Sequence, residues 1–265
     1  MNSFKSYSKY YDYLYQDKDY NAEADFLVNL IKKYHKNAVT IIDLGCGTGK
    51  HVKLLAKRGF KVTGLDKSKE MIAIAKKDSD LEFILGDIAT FKLKKRFDVV
   101  LSIFHVFSYL TTNEKVIKSF LNANLHLEEK GIFIIDVWHT PAVHSQIPEI
   151  RVKVFENEKL KIVRYADPDV DSLNNTVNVK YELNVLDKET LVEENITENH
   201  HIRHFSKPEI ELFAKYTGFK ILHTQELLTG NSPSEQTWGV GYIMQKVPLL
   251  AMPFSFLMEL STFYF

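Results

Sequence analysis

A glycine-rich segment, Gly45-Cys46-Gly47-Thr48-Gly49, follows an apolar run that is typical of a buried strand and precedes a helical period. Glycine lets a backbone turn tightly and approach a ligand closely, and the free amides at a helix start favour a negative group. The spacing therefore predicts a cofactor-binding loop built on Gly45, Gly47 and Gly49.

Three acidic residues accompany the ends of three successive predicted strands. Asp43 lies just before the glycine-rich loop, and Asp66 ends the next strand. An acid about 20 residues after such a loop can accept from the hydroxyls of a ribose. Asp87 ends the third strand, where it could accept from an adenine amino group, with Ile88 and Met71 available to sandwich the adenine ring.

Asp43 also bears on which cofactor the loop takes. Its carboxylate would repel a pyrophosphate beside the turn, whereas it would attract the ammonium group of S-adenosylmethionine. The charge pattern therefore favours S-adenosylmethionine over NAD.

Aromatic residues and histidines follow the fourth and fifth predicted strands, where ligands of open α/β sheets bind. Aromatic faces exclude water and attract a sulfonium cation without competing as nucleophiles. Core packing explains Phe104 and Phe107 equally well, whereas His105 follows a strand end and is predicted to face the pocket. The residues concerned are Phe104 as a cofactor contact, Tyr109 and Trp138 as substrate contacts, and His105, Phe107, Asp136 and His139 around them.

A second group of histidines lies on a predicted strand late in the chain. Strand alternation puts His200 and His204 on one face and His201 and Arg203 on the other. No carboxylate stands at a spacing that completes a metal site, so a substrate-facing lid is favoured over zinc. His200 joins His105 as a candidate catalytic residue, since a hydroxyl group that accepts a methyl group from S-adenosylmethionine needs a base to remove its proton. Arg203 is a candidate substrate contact.

The elements that must position these residues change character along the chain. Short apolar runs alternate with helical periods through the first half, as in βαβ units that form a parallel sheet. From Arg151 to Arg203, β-branched runs indicate an antiparallel meander with turns at Asp167-Pro168, Ser172 to Asn175 and Asp187-Lys188. A helix then opens with a capping box at Ser206, and two strands finish the fold. The predicted class is α/β, a doubly wound Rossmann-like sheet with an inserted β lid and a helical, tyrosine-rich N-terminal arm.

Composition narrows the partners. The chain has 34 basic and 34 acidic residues among 265, so nothing draws it to phosphate backbones, and nucleic acid is not expected. Cys46 is the only cysteine, which excludes an internal disulfide. The N-terminus has no apolar h-region, so we expect a cytoplasmic protein. We expect its partner to be a small molecule that accepts the transferred group.

The segment from Pro248 to Phe265 has no basic residue and a single acid, Glu259. We expect this apolar C-terminal tail to dock on the core or on a second subunit, so a homodimer is one expectation, and a membrane-surface contact is the alternative. Its prolines and its length argue against a transmembrane span.

Two segments carry a resemblance to a known family. The segments IIDLGCGTGKHVKLLAKRGFKVTGLDKSKEMI and LEFILGDI resemble motifs I to III of class I S-adenosylmethionine-dependent methyltransferases. With its flanks, from Tyr10 to Lys246, the chain resembles the TDP-aminosugar N,N-dimethyltransferases. The resemblance implies a seven-stranded sheet and one methyltransferase domain over residues 1–247, with the β lid at about residues 150–204.

The resemblance also implies roles for single residues. N-terminal tyrosines of the family close over the methionine moiety. The family's tyrosine maps to Tyr15, with Tyr20 beside it and Tyr11 as an alternative register. His200 lines up with a histidine of the family.

The preferred hypothesis is N-methylation of an amino group on a nucleotide-linked sugar or a similar small metabolite. O-methylation of a sugar or polysaccharide precursor is the alternative within enzymes. A non-catalytic protein that binds S-adenosylmethionine is the alternative outside them.

Overall fold

The computed structural model describes residues 7–77 and 79–247, so the apolar tail 248–265 lies outside the described residues. The strands within them are β1 (Thr40–Leu44), β2 (Lys61–Asp66), β3 (Glu82–Leu85), β4 (Phe97–Ser102), β5 (Leu127–His139), β6 (Arg151–Glu156), β7 (Leu160–Asp171), β8 (Thr176–Asp187), β9 (Glu193–Phe205), β10 (Phe219–Glu226) and β11 (Gly239–Lys246). The helices are α1 (Ser8–Leu14), α2 (Tyr20–Tyr34), α3 (Lys50–Lys57), α4 (Lys69–Lys76), α5 (Asn113–Leu125), α6 (Thr140–Ser145) and α7 (Lys207–Tyr216). A turn of 3-10 helix spans Val106–Tyr109.

The central sheet has the strand order β3-β2-β1-β4-β5-β11-β10. Strands β1 to β5 run parallel, whereas β11 is antiparallel to both β5 and β10. The predicted seven-stranded, Rossmann-like sheet is confirmed. All five parallel strands therefore end at one edge, where the three acids of the sequence pattern lie.

Helices cover both faces of this sheet. Leu27 of α2 and Leu55 of α3 pack with Ile41 on one face. Phe120 of α5 packs with Ile42 on the other face. Because successive side chains of a strand point to opposite faces, β1 is buried on both sides and holds the loop that follows it in a fixed position.

The chain between β5 and α7 contains the antiparallel lid, strands β6 to β9, as the sequence predicts. The last two residues of β9 run beside β5, with Trp138 opposite His204 and His139 opposite Phe205. This short parallel ladder anchors the lid next to the carboxyl edge of the sheet. The helix after the lid has the predicted capping box between Ser206 and Glu209.

The predicted turn at Asp167-Pro168 is wrong, whereas turns follow β7 and β8 as predicted. β7 continues to Asp171, and Pro168 pairs with Val179 of β8. The pairing of β7 with β6 ends at Ala166, so only β8 accompanies the strand beyond that point. Proline, which has no backbone N–H, is tolerated there because no strand of the described residues pairs with that edge of β7.

The N-terminal arm packs on the lid. Tyr7, Tyr10 and Leu14 share an apolar cluster with Leu183 and other lid residues. Polar contacts join the same two parts, with Glu194 Oε2 accepting from Lys9 Nζ at 2.8 Å and from Tyr10 Oη at 2.7 Å. Of the helices in the described ranges, none is long and apolar enough to cross a membrane.

Candidate active site

The glycine-rich loop leaves β1 beside the end of β2. Gly45 and Gly47 have φ angles of +78° and +53°, a region in which side chains are strained. A Cβ on Gly45 would lie 2.5 Å from the Val106 side chain, whereas a Cβ on Gly47 would meet no atom of the described residues within 4 Å. Packing therefore requires glycine at the first position, and at the second the backbone faces open space that a ligand can approach.

Asp66 ties this loop to the end of β2. Its carboxylate accepts from the backbone N–H of Gly47 at 2.9 Å and from that of Ser68 at 2.8 Å. Burial raises the pKa of Asp66, and these backbone hydrogen bonds oppose the rise. Two donors fix the direction of the carboxylate, and its other lone pairs are free to accept from ligand hydroxyls.

Asp43 lies at the end of β1 and is 3% exposed. Burial, and then the charge of Asp66, raise the pKa of Asp43 to about 7. A bound cation would favour the ionised form of this carboxylate. The chemistry of the site therefore fits the ammonium of S-adenosylmethionine, and the nearby Asp87, Met71 and Ile88 suit an adenosine group as predicted.

A cavity of about 500 Å³ extends from this loop to the underside of the lid. It runs along the carboxyl edge of the parallel strands, where ligands bind in open α/β sheets. The residues predicted from the sequence that line it are Tyr15, Tyr20, Asp43, Gly45, Gly47, Asp66, Met71, Asp87, Ile88 and Phe104 towards the loop, and His105, Tyr109, Trp138 and His200 towards the lid.

His105 lies in an unusual backbone turn after β4. Phe104 and His105 have φ angles of +68° and +62°, two consecutive non-glycine residues in the left-handed region. The buried carboxylate of Asp136 holds this turn, because its Oδ1 accepts from the His105 backbone N–H at 3.0 Å. Its Oδ2 lies 2.8 Å from His105 Nδ1. Strain of this kind persists only where its surroundings impose it, and it is concentrated at functional sites.

His200 lies under the lid, and its side chain is 3% exposed. Its Nδ1 is 2.8 Å from Tyr109 Oη, and its Nε2 is 3.3 Å from Glu198 Oε2. The rings of Tyr7 and Tyr181 lie 5.6 Å and 4.9 Å from the imidazole ring. His200 is therefore enclosed by aromatic rings contributed by the arm, the lid and the turn after β4.

The arm also covers the loop side of the cavity. The rings of Tyr11 and Tyr15 lie 4.8 Å apart, and Tyr15 meets the Phe104 ring edge-on at 5.2 Å. Lys18 Nζ lies 3.5 Å from the centroid of the Phe104 ring and 3.0 Å from Glu23 Oε2. Both tyrosines suggested by the resemblance thus line the cavity, so the structure leaves the choice between them open.

Two predicted site residues lie elsewhere. Gly49 does not line the cavity; a Cβ there would lie 2.7 Å from the Phe83 ring, so it is needed for packing at the start of α3. Arg203 is buried and donates to Asn113 Oδ1 at 2.7 Å and to Glu209 Oε1 at 2.8 Å. These bonds hold the guanidinium between the lid and α7, outside the residues that line the cavity.

Phe107 and His204 have structural positions. Phe107 is fully buried against the rings of Phe120 and Phe133, so core packing is the correct explanation for it. His204 is fully buried, its Nδ1 lies 2.8 Å from Thr140 Oγ1, and burial lowers its pKa to about 4.

Several cavity residues carry no signal that sequence reasoning recognised. Lys18 and Tyr181 line the cavity, and Glu198 contacts His200 from behind. The alternation of β8 and β9 offered a usable signal, since Tyr181 pairs with Glu198 in the register that places His200 opposite Val179. Lys18 lies between two helices, where no period applies.

Comparisons with known proteins agree with this geometry. Residues 41–131 match the family model described as a methyltransferase domain. A dTDP-3-amino-3,4,6-trideoxy-alpha-D-glucopyranose N,N-dimethyltransferase from Streptomyces venezuelae is 32% identical over 130 residues, which are 49% of this chain and 55% of that protein. A putative methyltransferase from Geobacillus sp. (strain WCH70) is 26% identical over 251 residues, 92% of this chain and 100% of that one.

The matched segment begins in β1 and ends within β5. The crystal structure of an S-adenosylmethionine-dependent methyltransferase from Clostridium acetobutylicum ATCC 824 has the same fold, with a TM-score of 0.79 at 21% identity over 93% of this chain and 100% of that one. The domain match and the shared fold agree with the expected class of methyltransferases and with S-adenosylmethionine as the expected cofactor. The chain spans about half the length of the aminosugar dimethyltransferases that it matches. The matched segment contains β1 to β4 and the three acids, whereas the lid lies beyond it.

Proposed function

We propose that this chain transfers a methyl group from S-adenosylmethionine to the amino group of a nucleotide-linked sugar or a similar small metabolite. The observation that carries the proposal is the continuous cavity from the acidic strand ends to His105 and His200. The bound cofactor supplies a methyl carbon that its sulfonium already activates. The name of the relative from Streptomyces venezuelae, an aminosugar N,N-dimethyltransferase, supports an amine as the acceptor.

The chain's own contribution is chiefly alignment and exclusion of water. Holding two reacting groups in line removes much of the entropic barrier of a displacement. The rings of Tyr15, Phe104 and Trp138 line the cavity, where their apolar faces can exclude water from the reacting groups. Tyr109, held by His200, and His105, held by Asp136, offer polar atoms that can orient an amine.

One observation favours a second candidate, O-methylation of a sugar or surface-polysaccharide precursor. Asp136 Oδ2 lies 2.8 Å from His105 Nδ1. A carboxylate so placed stabilises the imidazolium that forms when the other ring nitrogen removes a proton from a hydroxyl. An amine acceptor needs no such base, because it is a nucleophile once it is neutral.

The pH dependence of kcat/KM separates the two candidates. Assays would use a dTDP-linked aminosugar and compare the wild type with His105→Ala, His200→Ala and His201→Ala. His201 is exposed on the same strand as His200 and does not line the cavity, which makes it the matched control. For an amine, kcat/KM should rise with pH up to the acceptor's own pKa, which is about 10.4 for a simple alkylamine and lower beside sugar oxygens.

For the amine acceptor, we expect His105→Ala and His200→Ala to lower the rate without changing the shape of this curve, and His201→Ala to change neither. A hydroxyl acceptor would instead add an inflection from the histidine that removes its proton, and this inflection would disappear in one histidine variant. That result would overturn N-methylation in favour of the O-methyltransferase. Tight cofactor binding without turnover of any acceptor would overturn both.

A further inference from the structure

Lysines from two parts of the fold line the cavity beside the acids at the strand ends. Lys67 follows β2, and Lys115 and Lys118 belong to α5, which is hydrogen-bonded to the segment after β3. These three therefore accompany the strand ends predicted to hold adenosine. The other two, Lys18 and Lys50, belong to the segment between α1 and α2 and to the start of α3, directly after the glycine-rich loop.

The cofactor of the proposed function has one negative group, the carboxylate of its methionine part. This carboxylate is bonded to the same carbon as the ammonium, so both must lie at the loop side of the cavity. Asp43 fits the ammonium and repels the carboxylate. The carboxylate therefore needs a cation close to the loop, and Lys18 and Lys50 are the lysines of the described residues that line the cavity there.

Lys18 is enclosed and only partly compensated. Its side chain is 16% exposed, and its Nζ lies 3.0 Å from Glu23 Oε2. The same carboxylate oxygen also lies 2.9 Å from His51 Nε2, so Lys18 shares its acidic partner. On another side the ammonium faces the Phe104 ring, 3.5 Å from its centroid. An ammonium has three donors, and one carboxylate oxygen and one ring face leave room for a further acceptor from the cavity.

The environment of Lys18 also shows that its charge is costly in the unliganded protein. Burial lowers the pKa of Lys18, and the charge of Glu23 opposes this fall. An anion beside the ammonium would favour its charged form. Lys50 gains less from such an anion, because its side chain is 31% exposed and its Nζ lies 3.2 Å from Asp12 Oδ1, where water screens the charges.

We propose that Lys18 binds the carboxylate of S-adenosylmethionine and makes the site select a cofactor that has this group; the proposal rests on S-adenosylmethionine as the cofactor of the proposed function. Asp43 and Lys18 would then recognise the two opposite charges at the amino-acid end of the cofactor. Decarboxylated S-adenosylmethionine has the sulfonium, the adenosine and an ammonium, so it would satisfy Asp43 and leave Lys18 without its ligand.

The test measures the affinity of both compounds by calorimetry, which needs no acceptor. Lys18→Met removes the charge and keeps a chain of similar length, and Lys18→Arg keeps the charge. Lys9→Met is the matched control, because Lys9 is an arm lysine that pairs with a glutamate and does not line the cavity. Lys50→Met tests the other lysine beside the loop. The quantity compared is the ratio of the two dissociation constants, so a general weakening of the site cancels.

We expect the wild type to bind S-adenosylmethionine about tenfold or more tightly than the decarboxylated compound, since a charge-assisted hydrogen bond is among the stronger ones. Lys18→Met should lose most of this preference by weakening S-adenosylmethionine binding alone. Lys18→Arg should keep more of the preference than Lys18→Met, and Lys9→Met and Lys50→Met should keep it within about twofold of the wild type.

Equal affinity of the wild type for both compounds would overturn the proposal and leave the proposed function standing, whereas binding of neither would overturn both. An unchanged preference in folded Lys18→Met, or a preference lost in Lys50→Met instead, would also refute it. If Lys18→Met does not fold, NMR of wild-type protein labelled with carbon-13 at the lysine Cε decides. The Lys18 signal, assigned from Lys18→Arg, should shift more with S-adenosylmethionine than with the decarboxylated compound, and equal shifts would sink the proposal.

Discussion

Binding of S-adenosylmethionine is expected to release close to one proton at pH 6, and Asp43 is the residue expected to lose it. Burial and the charge of Asp66 raise the pKa of Asp43 to about 7, so the unliganded protein holds a proton there below neutral pH. An ammonium placed beside the carboxylate favours the ionised form and lowers this pKa. Asp43 must then deprotonate as the cofactor binds.

The size of the effect follows from the pKa. A carboxyl with a pKa of about 7 is about 0.9 protonated at pH 6 and about 0.1 protonated at pH 8. Cofactor affinity should therefore rise about tenfold per pH unit up to pH 7 and then become constant. The raised pKa of Asp43 has the opposite pH dependence for the stability of the unliganded fold. Its contribution to the free energy of unfolding, on the order of 4 kcal/mol, is fully present below pH 4 and is lost as the pH rises from there through 7.

Calorimetry at pH 6 in two buffers of different ionisation enthalpy measures the released proton directly. The wild type should show a binding enthalpy that depends on the buffer, and Asp43→Asn should not. S-adenosylhomocysteine, which keeps the ammonium and lacks the sulfonium, should release the same proton. A buffer-independent enthalpy in the wild type, or the same proton release in Asp43→Asn, would refute the reasoning.

Three further predictions concern the loop and the lid. Asp66→Ala should weaken S-adenosylmethionine binding by about 2 to 4 kcal/mol, measured by calorimetry on folded protein, and unchanged affinity would mean that the ribose is held elsewhere. Gly45→Ala should lower the melting temperature of the unliganded protein, because its Cβ would lie 2.5 Å from Val106. Gly47→Ala should lower it less, because its Cβ would meet no atom of the described residues within 4 Å. Arg203→Met should lower the free energy of unfolding by about 2 kcal/mol and leave the acceptor KM unchanged. A raised KM with unchanged stability would show that Arg203 contacts the acceptor.

The loop could be predicted because its signals are local. A buried strand, a glycine-rich turn and a helix start are adjacent in sequence, and the parallel sheet brings Asp43, Asp66 and Asp87 to one edge without any further information. The lid was predictable as antiparallel strands for the same reason, since β-branched runs and turns recur along a short stretch. The capping box at Ser206 is another local signal, and the structure has it.

Sequence reasoning is weakest where contacts between distant segments decide the structure. Arg203 has the chemistry of a substrate contact, but Asn113 and Glu209 reach it only in the folded chain and hold it away from the cavity. Pro168 suggests a turn unless one knows that β6 has already ended beside β7. Glu198 contacts Tyr7, which lies 191 residues earlier in the sequence, so no short window of sequence contains the contact.

The charges of the cavity explain why a sulfonium cofactor fits where a dinucleotide would not. Lys18 Nζ already lies 3.5 Å above the Phe104 ring, and Lys50 Nζ lies 4.5 Å from the ring centroid of Tyr20, so these aromatic faces hold cations. On the opposite side, Asp43 is buried and becomes ionised most readily beside a positive group. A pyrophosphate in the same place would face this carboxylate and that of Asp66 at the point where the glycine backbone is most open. The cavity therefore selects the charge of its ligand through residues on both sides, and the distinction holds whatever acceptor lies under the lid.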